Sequence, residues 1–402
     1  MKKRIVAMLL ASVMCLTVLV GCGGGSKGGE NNSQTVMTIN GESVPASELA
    51  AYIVYNINYY QQYYSQMGLE MDSSYFQDEE MFGSLKESAA DQVKALRALQ
   101  LMAKDLGVKL TSEQKKELEE VEKSNMEYTG AYSDKFKRWV AYSLKGKEDP
   151  WAEYLHSMGY TEELFKQDSE ILKLEEGIID YYYDQGDVTD RFHDTYYHAK
   201  SILISDSDDD GNLLTGSAKK EAKKKAQDLL KQIKDGADFD ELWAENNDDT
   251  AQSEDGYYFT EGDMVDTYEK AVAEMDEDTI NDELVYYEKY GWFIIQRLPL
   301  DDDALEDPDS YMYNYNDDDD TTLKSIIGNS IVEEKIDEYI ENMEVELTDE
   351  YDKITMNNVH TYLGFVTDPL VSTEGSGSVA DGSAGGVADD GHDHDHDHGS
   401  AE

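Results

Sequence analysis

The sequence predicts an α+β chain in which helices outweigh strands, on three observations. Apolar residues recur at helical spacing through most of residues 36–190. Strand and helix signals then alternate as β, α, α, β, α, β over residues 196–299, which can support only a small sheet. A further amphipathic helix and a short strand follow within residues 321–358. Residues 372–402 are Gly, Ser, Ala, Asp and His, a composition expected to stay disordered because it cannot bury enough apolar surface to fold.

The N-terminus reads as a targeting segment. Lys2, Lys3 and Arg4 precede an apolar run from Ile5 to Val20 that is short for a spanning helix and ends in small residues. Residues 1–21 therefore predict a signal peptide. Leu19-Val20-Gly21-Cys22 resembles the lipobox of bacterial lipoproteins. That resemblance implies lipidation of Cys22 after cleavage and anchorage at the outer face of the cytoplasmic membrane. Residues 22–35, rich in Gly and Ser, form the expected flexible tether. Cys15 lies in the removed segment, so the mature chain keeps Cys22 alone. An intrachain disulfide, thiol catalysis and a cysteine zinc site are excluded together.

Charge narrows the partners. The formal net charge is -53, and removing three bases with residues 1–21 leaves about -56. Such a chain repels nucleic acid and attracts cations. It holds 29 tyrosines against 9 phenylalanines. Tyrosine offers large contact area with a polar tip, which suits loose binding of peptides; a compositional habit of an acidic secreted chain explains it equally well.

The elements follow in order. Asn40-Gly41 centres a hairpin, and Pro45 opens a helix with Leu49, Ile53, Ile57, Tyr60 and Tyr64 on one face, ending near Gly68. A second helix is predicted over 84–106, with Leu85, Ala89, Val93, Leu96 and Ala103 sharing a face and Gly107 just past its end. Thr111-Ser112-Glu113-Gln114 has the capping-box pattern that starts a third, polar helix. Helical segments are expected near 148–157 and 161–184. A strand over 196–204 precedes a helix over 218–235, a short helix capped by Asp238, a strand over 256–259, a helix over 268–275 and a strand over 290–298. After an acidic linker over 301–320, a helix over 323–343 and a strand over 345–347 close the sequence of elements.

Two stretches resemble the SurA/PrsA group of extracytoplasmic folding factors. Val36-Met37-Thr38-Ile39-Asn40-Gly41-Glu42-Ser43-Val44 stands at the group's V-x-x-V-N-G-x-x-I strand, and Gly107-Val108-Lys109-Leu110-Thr111-Ser112-Glu113 at its G-[IV]-x-[VL]-[ST]-x-E element. The resemblance implies that residues 36–190 begin a helical chaperone-like domain. It further implies that residues 321–358 return to that domain, so the unit over 196–299 is an insertion.

Residues 196–299 resemble a parvulin-type peptidyl-prolyl isomerase domain. Ala199-Lys200-Ser201-Ile202-Leu203-Ile204 stands at A-x-H-I-L-V, and Gly236-Ala237-Asp238-Phe239-Asp240-Glu241-Leu242 at G-A-D-F-x-x-L. Gly262-Asp263-Met264-Val265 with Tyr268 stands at G-Q-M-V-x-x-F, and Tyr290-Gly291-Trp292-Phe293-Ile294-Ile295 at Y-G-Y-H-I-I. Isomerisation needs no nucleophile and no cofactor, so no cofactor is expected. The barrier is amide resonance, about 20 kcal/mol, and an enzyme grips the proline ring while favouring the twisted amide. The resemblance puts the proline slot at Met264 and Tyr268. It puts the two family histidines at Ser201 and Phe293, so both are replaced, and the family acid at Asp249, with Asp248 the alternative. His198 sits three places before Ser201, and strand alternation turns it to the opposite face as a strand-edge residue without a role. Isomerase is thus the class the resemblance implies, with turnover weak or lost.

Metal ligands form a competing set. Asp206-Ser207-Asp208-Asp209-Asp210-Gly211 matches the opening of a calcium loop, but its twelfth position is Ser217 in place of Glu, so a solvated acidic turn is expected. His392, His394, His396 and His398 alternate with aspartates and can hold a divalent metal such as zinc. The function expected is a membrane-anchored extracytoplasmic folding factor whose partners are unfolded or newly exported chains. The alternative is a metal-binding envelope lipoprotein using zinc or calcium.

Overall fold

The computed structural model describes residues 32–69, 73–130, 150–208, 210–314 and 321–367. The signal segment, Cys22, residues 131–149 and the histidine tail lie outside them. Helices dominate and the sheets are small, so the α+β, mostly helical class holds.

β1 (Thr35–Ile39) and β2 (Glu42–Pro45) pair antiparallel across Asn40-Gly41. Both turn residues have positive φ, 51° and 80°, as the two-residue hairpin turn requires. α1 (Ala46–Gln66) follows directly. Its first three turns are buried on every side through Asn58, and then it emerges into solvent. Tyr60, expected on the apolar face with Leu49, Ile53 and Ile57, is exposed for this reason, and so are Tyr59 and Tyr63.

α2 (Glu79–Leu106) starts five residues earlier than its apolar pattern indicated. The Asp78 carboxylate caps it, accepting from the Glu80 and Met81 amides at 3.1 and 3.0 Å. α3 (Ser112–Gly130) begins in the expected capping box, with Thr111 and Gln114 exchanging side-chain to backbone bonds at 3.0 and 3.1 Å. α4 (Pro150–Ser157), α5 (Glu162–Gln185) and α6 (Asp187–Thr195) complete the helical unit. Its core spans β1, α1, α2, α4 and α5.

β3 (Tyr196–Ser205) then enters a second, five-stranded sheet. α7 (Gly216–Lys234), α8 (Phe239–Asn246), β4 (Tyr257–Thr260), α9 (Asp266–Ala273), β5 (Thr279–Ile280), β6 (Val285–Tyr287) and β7 (Gly291–Leu298) build the rest. The order is β4-β3-β7-β5, with β6 also on β7. β5 and β6 carried no signal strong enough to read from the sequence, being two and three residues long. One face of the sheet packs Ile202, Ile204, Trp292 and Ile294 against α7. The other packs Ala199, Phe259, Phe293 and Ile295 against Tyr268 and Val272 of α9.

The chain then comes back to the first unit. α10 (Leu323–Glu341) packs Val332 and Ile336 into the helical core. β8 (Val345–Leu347) pairs antiparallel with β1, Met37 opposite Leu347, as the third strand of the hairpin sheet. After α11 (Asp349–Lys353), the segment through Val359, Tyr362, Leu363 and Phe365 is buried in the same core. Packed structure therefore continues past residue 358.

Candidate functional site

The site face of the second sheet is set by strand alternation. Ala199, Ser201 and Leu203 of β3 lie on one side, opposite Arg297, Ile295 and Phe293 of β7. Tyr257 and Phe259 of β4 sit on the same side through their pairing with Ala199 and Tyr197. α9 closes over this face with Tyr268, which is 2% exposed. Its ring stands edge-on to Phe293 at 5.4 Å and to Phe259 at 5.7 Å. Phe293 thus extends the apolar wall of Tyr268 where the resemblance puts an imidazole. Met264 packs against the same cluster. Its loop is held by the Glu269 carboxylate, which accepts from the Gly262 and Met264 amides at 2.8 and 2.9 Å.

The polar groups are few and mostly engaged. Ser201 is buried. Its hydroxyl accepts from the Gln252 amide at 3.2 Å, while the Gln252 carbonyl oxygen accepts from the Ser201 backbone at 3.1 Å and from Trp243 Nε1 at 2.8 Å. Asp249 is half-buried and accepts from the Tyr257 hydroxyl at 3.2 Å. The Tyr268 hydroxyl has no hydrogen-bond partner of ordinary geometry among the described residues. Burial pushes its pKa well up; the nearby Ser201 hydroxyl opposes that shift, and the Asp249 charge adds to it.

Ser201, Phe293, Asp249, Met264 and Tyr268 therefore converge on one face. Asp248 does not join them: its carboxylate accepts from the Ser205 amide at 2.7 Å at the far end of β3. Gln252 and Glu269 were not singled out from the sequence. Neither carries a motif signal, since each acts by reaching back to a backbone or side chain that only the fold brings near.

His198 lies on the opposite face, as alternation requires, but it has a structural role. β3 is an inner strand, so the residue is buried and not at an edge. Its ring stacks on Tyr258 at 3.9 Å, and its nitrogens bond the Pro299 and Asp255 carbonyls at 2.8 and 2.7 Å. The acidic turn also differs from expectation at its first residue. Asp206 is fully buried, and one carboxylate oxygen accepts from Lys219 at 2.6 Å and from the Tyr286 hydroxyl at 2.5 Å. It is a structural anchor and not a solvated calcium ligand. Among the described residues no three His, Cys, Asp or Glu side chains converge as a metal site. Cys22, His392, His394, His396 and His398 lie outside those residues.

Residues 185–298 match the family model of the PPIC-type PPIASE domain. This stretch is a PPIC-type isomerase domain, and the parvulin resemblance is borne out. Among solved structures the chain is similar to PrsA from Bacillus subtilis, 18% identical over 67% of this chain and 90% of that one, with a TM-score of 0.24. It is similar to PrsA from Bacillus cereus, 16% identical over 70% and 94%, TM-score 0.32. It is also similar to a SurA-like chaperone of Campylobacter jejuni, 16% identical over 76% and 94%, TM-score 0.21. No curated protein matches the chain.

Proposed function

From a chain that carries a PPIC-type isomerase domain, we propose an extracytoplasmic folding factor that holds unfolded or newly exported polypeptides and turns over prolyl bonds weakly or not at all. The reading divides the chain into a helical domain (36–190 with 321–358) and an inserted isomerase-type domain (196–299). Lipidation of Cys22 would tether both to the outer face of the membrane.

The observation that carries the reading is the site face itself. Met264 packs there beside Tyr268 and Phe293, which supports reading the cluster as the apolar half of a proline site. The polar half is reduced: Ser201 is tied to Gln252, Asp249 to Tyr257, and among the described residues no imidazole faces the cluster. A face of this kind can bind a proline ring by burying apolar area, but it offers few free groups aimed at a twisting amide. Binding both ground and transition states equally gives affinity without acceleration. The aromatic row at the solvent end of α1, with Tyr59, Tyr60 and Tyr63 exposed, supports a second, looser contact surface for clients.

A proline-peptide isomerisation assay on the complete chain tests the catalytic half. The expected result is acceleration small enough that Asp249→Ala changes it less than about threefold. Robust turnover abolished by Asp249→Ala would show that the remaining polar groups suffice.

A further inference from the structure

α7 is a basic element in an acidic protein. Its 19 residues hold seven lysines against one glutamate and one aspartate, whereas the whole chain carries -53. Its apolar face packs on the sheet through Ala226, Leu229 and Ile233. One flank borders an open groove of about 830 Å³. Lys219, Lys220, Lys223, Lys231 and Lys234 line that groove with one carboxylate, Glu283, and with Leu230, Leu284, Tyr286 and Trp292 as its apolar part.

Most of these lysines have carboxylate neighbours. Lys219 is fixed by Asp206, Lys231 pairs with Asp235 at 2.6 Å and Lys234 with Asp282 at 3.2 Å, the last two exposed and worth little each. Lys220 and Lys223 are exposed, one turn apart, and make no ion pair among the described residues. Like charges are thus gathered on a concave, partly apolar face. The combination fits an extended acidic segment: carboxylates for the lysines, with methylene and ring surface for Trp292 and Tyr286.

We propose that the occupant is this chain's own acidic segment, residues 389–398. It carries Asp389, Asp390, Asp393, Asp395 and Asp397 and no lysine or arginine. An extended chain sets alternate residues about 6.6 Å apart on one edge, close to the 5.4 Å pitch at which a helix repeats its lysines. The 21 residues between position 367 and Asp389 could extend to about 70 Å at most, and any span the linker covers makes the segment's encounter with the groove intramolecular. The inference goes beyond the folding-factor reading and does not depend on isomerase activity or on lipidation. Its consequence is that other polyanions reach the groove only by displacing the segment.

Amine-labelling footprinting of the complete chain at pH 7.5, low salt and in EDTA tests this. The comparison is a variant with Asp389, Asp390, Asp393, Asp395 and Asp397 all changed to Asn. Lys220 and Lys223 are expected to label at least threefold more slowly in the unaltered chain, with the difference gone in 0.5 M NaCl. Lys109 and Lys123, exposed on and beside α3, should label alike in both. Equal labelling of Lys220 and Lys223 in the two proteins would overturn the proposal. Protection that fades on tenfold dilution would overturn it too, because it would assign the groove to the segment of a second copy.

Discussion

At Ser201 the chemistry of the isomerase-type domain turns on a single amide. Gln252 joins the Ser201 hydroxyl, the Ser201 backbone and the Trp243 indole in one buried unit. Its removal strands the buried Ser201 backbone donor and the half-buried Trp243 indole, at about 1–3 kcal/mol for an unpaired buried group. Gln252→Ala is therefore expected to lower the stability of the domain by about 2–3 kcal/mol in urea denaturation; a change below 0.5 kcal/mol would mean that neighbours relax to satisfy both groups. Asp168, in the core of the other unit, sets a pH dependence. Burial raises its pKa to about 8, although the Tyr52 hydroxyl donates to both its oxygens at 2.9 and 2.8 Å. The folded state thus holds a proton that the unfolded state, titrating near 4, releases. Stability must fall as pH rises from about 4 towards 8, by an amount on the order of a few kcal/mol. Glu175, raised to about 7 by burial and by Glu333, acts in the same direction. The unfolding midpoint is expected to be higher at pH 5 than at pH 8, with a visibly flatter dependence in Asp168→Asn. An equal slope in both proteins would contradict this. Ser201, Phe293 and Met264 could be placed from strand parity and motif order. Gln252, Asp168 and the anchor at Asp206 could not, because their roles depend on Ser201, Tyr52 and Tyr286, which lie 51, 116 and 80 positions away and which no local pattern encodes.

Elements were legible where a period or a cap marked them. The hairpin at Asn40-Gly41, the capping box at Thr111 and the strand over Val345–Leu347 all follow from short-range rules. The apolar pattern that begins at Leu85 places the start of α2 late, whereas the Asp78 cap lies ahead of it. β5 and β6 are too short to show alternation and exist only by pairing with β7. α1 shows the limit of the amphipathic argument. Its N-terminal turns are enclosed by other elements, and its tyrosine end lies in solvent, so one face does not describe the whole helix. The crossing of α10 on α5 is equally a matter of tertiary fit. A Cβ added at Gly328 would stand 2.4 Å from Ile179 Cγ2. Gly328→Ala is expected to destabilise by about 1–2 kcal/mol, the strain of overpacking reduced by the better helix propensity of alanine. A higher thermal midpoint for this variant would show that Ile179 turns aside without cost.

Across the whole molecule, the order of elements is also the order of attachment. β1 receives β8 from more than 300 residues later, and the helical core closes only when α10 and the segment to Phe365 return. The two units meet where Tyr258 of β4 packs into a cluster with Val188, Phe192, Leu305, Leu323 and Ile327, while within the helical unit Arg191 of α6 grips Glu334 of α10 with two bonds of 2.9 and 2.8 Å. Acidic composition, tyrosine excess and the isomerase-type motifs could all be read from the sequence. The emergence of the tyrosines from a buried helix could not. That emergence is what the account uses: a helical unit with a solvent-facing aromatic row, carried beside an isomerase-type domain whose polar groups are tied up. The most direct test is light scattering of an aggregating unfolded client with the complete chain and with Tyr59→Ser, Tyr60→Ser and Tyr63→Ser combined. The account predicts clear suppression by the unaltered chain near equimolar ratio and at least a twofold loss in the triple variant, whose far-ultraviolet circular dichroism should be unchanged. No suppression by the unaltered chain would contradict a role in holding unfolded polypeptides.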